Sequence, residues 1–165
     1  MLYSADDFGG YFIKGLQVVD VADDEPVEKT DKKPFDGVKV LVIDDSKTIR
    51  RSAENLLENE GCEVVTASDG YEALAKVVEN NPQIIFIDIM MPRLDGYQTC
   101  ALIKNNKRYG HLPVILLSSK DSIFDKARGK IVGAQYYLTK PFTREELLAA
   151  IEEHLGESSG KEVVA

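Results

Sequence analysis

The chain has 165 residues, 44% of them hydrophobic, and a formal charge of -8: enough for one domain with a proper core, too little for two of full size. The acidic balance argues against nucleic acid or an anionic membrane as the main partner, and no apolar run is long enough to cross a bilayer. The opening MLYSADDFGG lacks the basic and apolar regions of a signal peptide, which places the protein in the cytoplasm.

Residues 1–36 differ in composition from the rest of the chain. Between Asp20 and Asp36 stand seven acids and three lysines, with Pro26 and Pro34 among them and no sustained period, the composition of a solvated extension or linker. Residues 1–36 hold nine acids against four lysines, a net of -5, and so most of the chain's -8. Within them Tyr11, Phe12, Ile13, Leu16, Val18 and Val19 form an apolar patch too short to be a domain. It reads as part of an ill-ordered extension, the alternative being a segment that docks on the main domain or on a partner.

The pattern changes at Val38. A first strand, Val38 to Ile43, ends on Asp44 and Asp45. Ser46 caps a helix with Ile49, Ala53, Leu56 and Leu57 on one face, closed by Gly61. Cys62 to Ala67 is a second strand, and Asp69 opens a helix that carries Ala73, Leu74, Val77 and Val78 on its apolar side and stops at Asn80-Asn81-Pro82. Ile84 to Ile87 is an unbroken apolar run with β-branched residues, too short for a helix, and reads as a third strand buried on both faces. Asp88 falls where it ends. Pro92 turns the chain and Asp95 caps a helix from Gly96 to about Asn106. A fourth strand, Val114 to Leu117, ends at Ser118-Ser119. A helix around Ser122 to Val132 precedes a short fifth strand, Gln135 to Leu138, closed by Lys140-Pro141. Thr143 caps a last helix to about Leu155, and residues 157–165 read as a short polar tail. The organisation is therefore an extension (1–36), one domain (37–156) and a tail.

Five strands alternating with five helices over short loops predict an α/β domain. Its parallel sheet is covered on both faces through right-handed crossovers. Cys62 and Cys100 have no C-x-x-C spacing and read as reduced, packed thiols rather than a redox pair. His111 and His154 read as loop and helix-end residues. The helix dipole accounts for His154, and neither is a phospho-donor candidate.

In a parallel sheet the carboxyl ends of all strands share one edge, where open α/β folds place their chemistry. Asp44, Asp45, Asp88, Ser118 and Lys140 all stand there. Singly each has a plain explanation: a helix cap, a turn residue, a solvated base. Together they are harder to dismiss. Carboxylates drawn close repel by about 4 kcal/mol per pair at about 4 Å and an effective dielectric near 20. A divalent cation offsets that, and hard oxygen ligands suit Mg²⁺. A carboxylate beside Mg²⁺, a lysine and a hydroxyl can attack phosphorus, with the metal and Lys140 stabilising the phosphoryl oxygens of an in-line transfer and Ser118 donating to the product.

The DDS after the first strand, IDIMMPRLDG, the serine after PVILL and YYLTKPF together resemble a response-regulator receiver domain (CheY-like), over about Gly37 to Leu155. The resemblance implies a doubly wound, flavodoxin-like (βα)5 fold with a five-stranded parallel sheet of order 2-1-3-4-5. It also implies Asp88 as phospho-acceptor, and Mg²⁺ held by Asp44, Asp45, Asp88 and the main-chain carbonyl of Met90. Ser118, in place of the commoner threonine, matches the switch hydroxyl and Tyr137 the aromatic switch. Lys140 matches the family's site lysine, followed by a cis-proline-type Pro141. Met90 and Lys120 occupy positions that tune dephosphorylation.

The longer segments IDDSKTIRR, IMMPRLDGYQTCALIKNN, LSSKD and IVGAQYYLTKPF resemble regulators of type IV pilus twitching motility, from which the long N-terminus departs. The implied function is a single-domain response regulator, not an enzyme in its own right, that assists its own phosphorylation and autodephosphorylation. Its partners are a CheA-like sensor histidine kinase as phosphodonor and a downstream motility or pilus-control protein, with no nucleic acid and no membrane insertion. The alternatives are a phosphorylation-independent scaffold or a CheY-like regulator of flagellar chemotaxis. An aspartate-nucleophile phosphatase would want Asp-x-Asp after the first strand, where this chain has adjacent Asp44-Asp45. A flavin or dinucleotide enzyme would want a glycine-rich loop there. A DNA-binding output domain would need more chain than the few residues after Leu155.

Overall fold

The computed structural model describes residues 32–119 and 123–164, without the side chains of 123–125 and 156–164. The acidic segment before residue 32, its apolar patch and Lys120 lie outside the described residues. A compact unit begins at Lys33. Phe35 and Val38 pack against its core, so residues 33–36, which composition groups with the extension, sit with the domain.

One parallel sheet contains β1 (Lys39–Ile43), β2 (Glu63–Ala67), β3 (Ile84–Asp88), β4 (Val114–Ser118) and β5 (Tyr136–Thr139), in the order β2-β1-β3-β4-β5. The helices between and after them are α1 (Lys47–Glu58), α2 (Gly70–Asn80), α3 (Gly96–Lys104), α4 (Ile123–Ile131) and α5 (Arg144–Val164). Fold class and strand order are those the sequence implies. Side chains alternate across the sheet with the strand period of two. Leu41, Ile43, Ile85, Ile87, Val114 and Leu116 pack with α2 and α3, whereas Val40, Val42, Ile84, Phe86, Ile115 and Leu117 pack with α1 and α5. The central strands are apolar at both registers because both faces are covered. Each fully buried aliphatic side chain contributes about 1.5–3 kcal/mol.

Cys100 belongs to the first of these clusters and Cys62 to the second, so the sheet stands between them. Burial pushes both thiols up to about 11, with Glu60 adding to the effect at Cys62 and Lys104 opposing it at Cys100. They are packed, reduced thiols.

Helix starts follow the capping residues read from the sequence. Ser46 Oγ accepts from Ile49 N–H at 3.3 Å and the Asp69 carboxylate from Glu72 N–H at 2.8 Å. Asp95 accepts from Gln98 N–H at 2.8 Å while Gln98 Oε1 accepts from Asp95 N–H at 3.0 Å. Thr143 and Glu146 make the same reciprocal pair at the start of α5. Gly61, at φ +95°, turns the chain out of α1, letting Cys62 N–H reach Leu57 O at 3.1 Å.

The last helix departs from expectation. α5 continues past Leu155 to Val164, through the stretch read as a tail. The apolar stripe does end near Leu155, but a helix already nucleated gains one hydrogen bond for each residue added. His154 is therefore inside a helix, not at its end, and the dipole does not account for it. It is buried, with its ring centroid 5.6 Å from that of Tyr136 on β5.

Candidate functional site

Strand register lines up the site. Ile43 pairs with Ile87, so Asp44 and Asp88 leave neighbouring strands side by side. Asp88 pairs with Leu117, which puts Ser118 one residue farther along β4, and Ser118 pairs with Thr139, the residue before Lys140. Asp44 is 0% exposed, Asp88 2% and Ser118 4%. Asp45 is exposed. Lys140 Nζ lies 3.1 Å from Asp44 Oδ2 and 3.0 Å from Asp88 Oδ1. The structure thus joins Lys140 directly to two of the three acids.

Local donors fix the carboxylates. Asp44 Oδ1 accepts from Ser46 N–H at 2.8 Å, and Asp88 Oδ1 from Met90 N–H at 3.4 Å. The Asp44 carbonyl accepts from Arg50 Nη1 at 2.6 Å. Burial, then the Asp44 charge, push the Asp88 carboxyl up to about 6, against the pull of Lys140 and Met90 N–H. At neutral pH Asp88 is mostly ionised, in a setting that favours its neutral form. Burial draws the Lys140 ammonium down, but hydrogen bonds to Asp88 and Asp44, together with their negative charges, outweigh it and hold the group above the ordinary lysine value.

Asp44, Asp45 and Asp88 each offer an oxygen within 4.8 Å of the others. A small cation bound at about 2.1 Å separates two ligands by at most about 4.2 Å, so a slight closure lets the three share one ion. Two buried acids with one exposed acid beside them form a hard donor set open to solvent on one side. That fits Mg²⁺.

The remaining sequence-derived residues surround this cluster. The Met90 side chain is exposed. Tyr137 is half-buried against the α2–α3 cluster, with the Lys126 ammonium 5.7 Å from its ring centroid. The Lys140–Pro141 peptide is cis.

Sequence reasoning missed four neighbours. Arg50 bonds back to the Asp44 carbonyl from the first turn of α1, and Arg128 reaches Tyr97 from a distant segment. Arg93 takes the left-handed conformation at φ 68°, pairs with Asp69 at 3.1 Å and covers the Tyr71 ring at 5.3 Å, tying down the loop after β3. Gly96 does carry a signal, since glycine opening a helix costs about 1 kcal/mol relative to alanine and points to a close approach. A Cβ there would lie 2.2 Å from the Asp88 carbonyl oxygen and 2.8 Å from Ile89 Cα. Both are backbone atoms, so the chain itself must move. Gly96→Ala is expected to destabilise the domain by about 1–3 kcal/mol and to weaken Mg²⁺-induced stabilisation by displacing Asp88. A thermal melt with and without Mg²⁺ checks this, and a wild-type profile contradicts it.

A doubly wound sheet whose carboxyl edge gathers three acids, a half-buried lysine and a serine defines a receiver-type signalling domain. The model of the response regulator receiver domain matches residues 40–152, and the chain belongs to that family. Phosphorylation on an aspartate is standard for the family, and its members bind Mg²⁺ at an acidic pocket. The domain is a signalling module rather than a classical enzyme, supplied by a histidine kinase and read by a downstream partner.

The chain is 68% identical to protein PilG of Pseudomonas aeruginosa over 120 residues, 73% of this chain and 89% of that one. It is 40% identical over 114 residues to the alkaline phosphatase synthesis transcriptional regulatory protein PhoP of Bacillus subtilis, covering 69% of this chain and 47% of that protein, about half its length. The solved chemotaxis protein CheY4 of Vibrio cholerae matches with a TM-score of 0.68 at 37% identity, over 71% of this chain and 98% of that one. Among the described residues no helix is long and apolar enough to cross a membrane.

Proposed function

We propose that this chain is a cytoplasmic response regulator that accepts a phosphoryl group on Asp88 and signals by protein contact, in control of type IV pilus twitching motility. The observation that carries the reading is the Lys140 ammonium bridging Asp44 and Asp88, with Asp45 exposed beside them. Asp88 Oδ1 is engaged by Lys140 and Met90 N–H, which leaves Oδ2 for phosphorus. In the transfer the P–N bond of a phosphohistidine breaks as the P–Oδ2 bond forms, and its electron pair stays on the imidazole nitrogen, which takes up a proton. Asp44, Asp45, Asp88 and the Met90 carbonyl would hold Mg²⁺, whose charge offsets that of the phosphoryl oxygens. Lys140 neutralises a further part of that charge, and the Ser118 hydroxyl donates to a phosphoryl oxygen once the group has arrived.

Phosphorylation turns the singly charged Asp88 carboxylate into an acyl phosphate carrying roughly two negative charges, which draws Ser118 toward the phosphoryl group, and Tyr137 moves with it. The change is read on the face of α4 and β5. There Lys126, Lys130, Tyr136 and Tyr137 line a groove of about 270 Å³, whose basic and aromatic lining suits a downstream motility or pilus-control protein. Autodephosphorylation reverses the chemistry: water attacks phosphorus, the P–O bond to Asp88 breaks, and phosphate leaves. Met90 and Lys120 stand at the sequence positions that tune its rate.

A CheA-like kinase as donor and a pilus output are supported by likeness to PilG and to a chemotaxis protein. Incubation with the phosphorylated histidine domain of such a kinase in Mg²⁺ is expected to move the phosphoryl group to this chain. A chain that stays unlabelled while the donor stays loaded contradicts the reading.

A further inference from the structure

Among the described residues near the site, Arg128 is a cation that phosphoryl transfer through Lys140 and Mg²⁺ leaves unused. A cavity of about 480 Å³ opens beside the acidic cluster, lined by Asp45, Met90, Asp95, Tyr97 and Arg128 among others. Arg128 comes from α4, the other four from the loops and helix starts after β1 and β3. Its guanidinium carbon sits 4.6 Å from the centroid of the Tyr97 ring. Tyr97 is buried in the first turn of α3, whose start is fixed by the Asp95–Gln98 capping pair. The stack therefore rests on a rigid base. Stacking engages the face of a guanidinium and leaves its edge N–H groups for an anion. Among the described residues no carboxylate is recorded in an ion pair with Arg128.

The charges around the mouth make that arrangement consequential. Asp45 and Asp95 line it, while Lys140 stands outside its lining, mostly covered and already bound to Asp44 and Asp88. A dianionic phosphoryl group arriving from solvent thus meets acids before it meets the lysine. Arg128 is the opposite charge placed to receive it.

We propose that Arg128 is the anion-recruiting residue of this site: it draws the phosphoryl group of a donor into the mouth before transfer to Asp88 and so ranks donors by their charge. The inference rests on the phospho-acceptor reading. Its role ends before the bond changes. With acetyl phosphate the acyl C–O–P link then breaks at phosphorus, acetate leaves with the electron pair, and the P–O bond to Asp88 forms.

The test measures initial phosphorylation rates of the full chain at saturating Mg²⁺ for wild type, Arg128→Ala and Arg128→Lys, with acetyl phosphate (a dianion) and with the less charged phosphoramidate. For Arg128→Ala the half-saturating concentration of acetyl phosphate is expected to rise about tenfold with the limiting rate within about twofold. For phosphoramidate the rise is expected to stay below about threefold. Near 1 M salt, where screening acts over about 3 Å, the acetyl phosphate effect is expected to shrink to under about threefold. Arg128→Lys keeps most of the recruitment. A loss equal for both donors and unchanged by salt assigns Arg128 a structural role and overturns the proposal, as does an Arg128→Ala chain indistinguishable from wild type. Wild type that takes no phosphate from either donor overturns the phospho-acceptor reading, and this inference with it.

Discussion

Replacing Lys140 with methionine is expected to destabilise the domain by about 3 kcal/mol near pH 7, the effect of removing one partner from a buried ion-pair cluster. The cause is local. Asp44 and Asp88 are almost wholly buried, and without the ammonium about 3 Å from each they face one another unpaired. Protonation is the escape. Asp88 already titrates at about 6, and losing Lys140 moves it higher still. The loss is therefore largest above about pH 7 and smallest below about pH 5, where a neutral Asp88 no longer needs the lysine. Mg²⁺ is expected to restore part of the stability, by about 2.7 kcal/mol at a hundred times its dissociation constant. Urea melts at the two pH values, with and without Mg²⁺, check this. A loss independent of both pH and Mg²⁺ contradicts it.

Asp88→Asn is expected to act in the opposite direction on stability while abolishing phosphorylation. The Asp88 carboxyl rises from 3.8 to about 6 on folding, so the folded state holds its proton more tightly than the unfolded one. The stabilisation linked to that proton is fully present below about pH 3.8 and is lost as pH rises through about 6. A rise of that size corresponds to about 3 kcal/mol of penalty on the ionised form. That penalty is already net of the Lys140 pairing; asparagine removes it but leaves the Lys140 ammonium with one carboxylate partner instead of two, so the net gain near pH 8 is expected at about 1–2 kcal/mol. It fades toward pH 4. The variant should also respond less to Mg²⁺, having lost one acid of the three. Melting curves across pH settle the sign, and an Asp88→Asn chain less stable than wild type near pH 8 would sink the electrostatic account of this site.

The sequence exposes the sheet because its strands are unusually plain: Ile84 to Ile87 and Val114 to Leu117 are apolar at every position, as burial on both faces requires. Their ends are marked by Asp88 and Ser118, so the functional edge emerges from the same pattern. Parallel topology then brings Asp44, Asp88, Ser118 and Lys140 together without further information. Strand order is not carried by that pattern, and it is the family likeness that implies it. The features that the pattern did not reveal depend on where a long side chain turns, within one segment or between distant ones. Arg128 reaches Tyr97 across the gap between α4 and α3, and Arg50 turns back to the Asp44 carbonyl. Neither pairing has a spacing that periodicity detects. His154 lies inside α5 and not at its end because the helix continues to Val164 on backbone hydrogen bonding that polar side chains do not announce.

Intact-protein mass after incubation with acetyl phosphate and Mg²⁺, for wild type and Asp88→Asn side by side, decides whether the cluster at the sheet edge is a phosphorylation site. The expected outcome is a single phosphate on wild type, dependent on Mg²⁺ and absent from the folded variant. Folded wild type that gains no phosphate, or a variant that gains as much, would contradict the assignment of Asp88 and return the domain to a scaffold that works by binding alone.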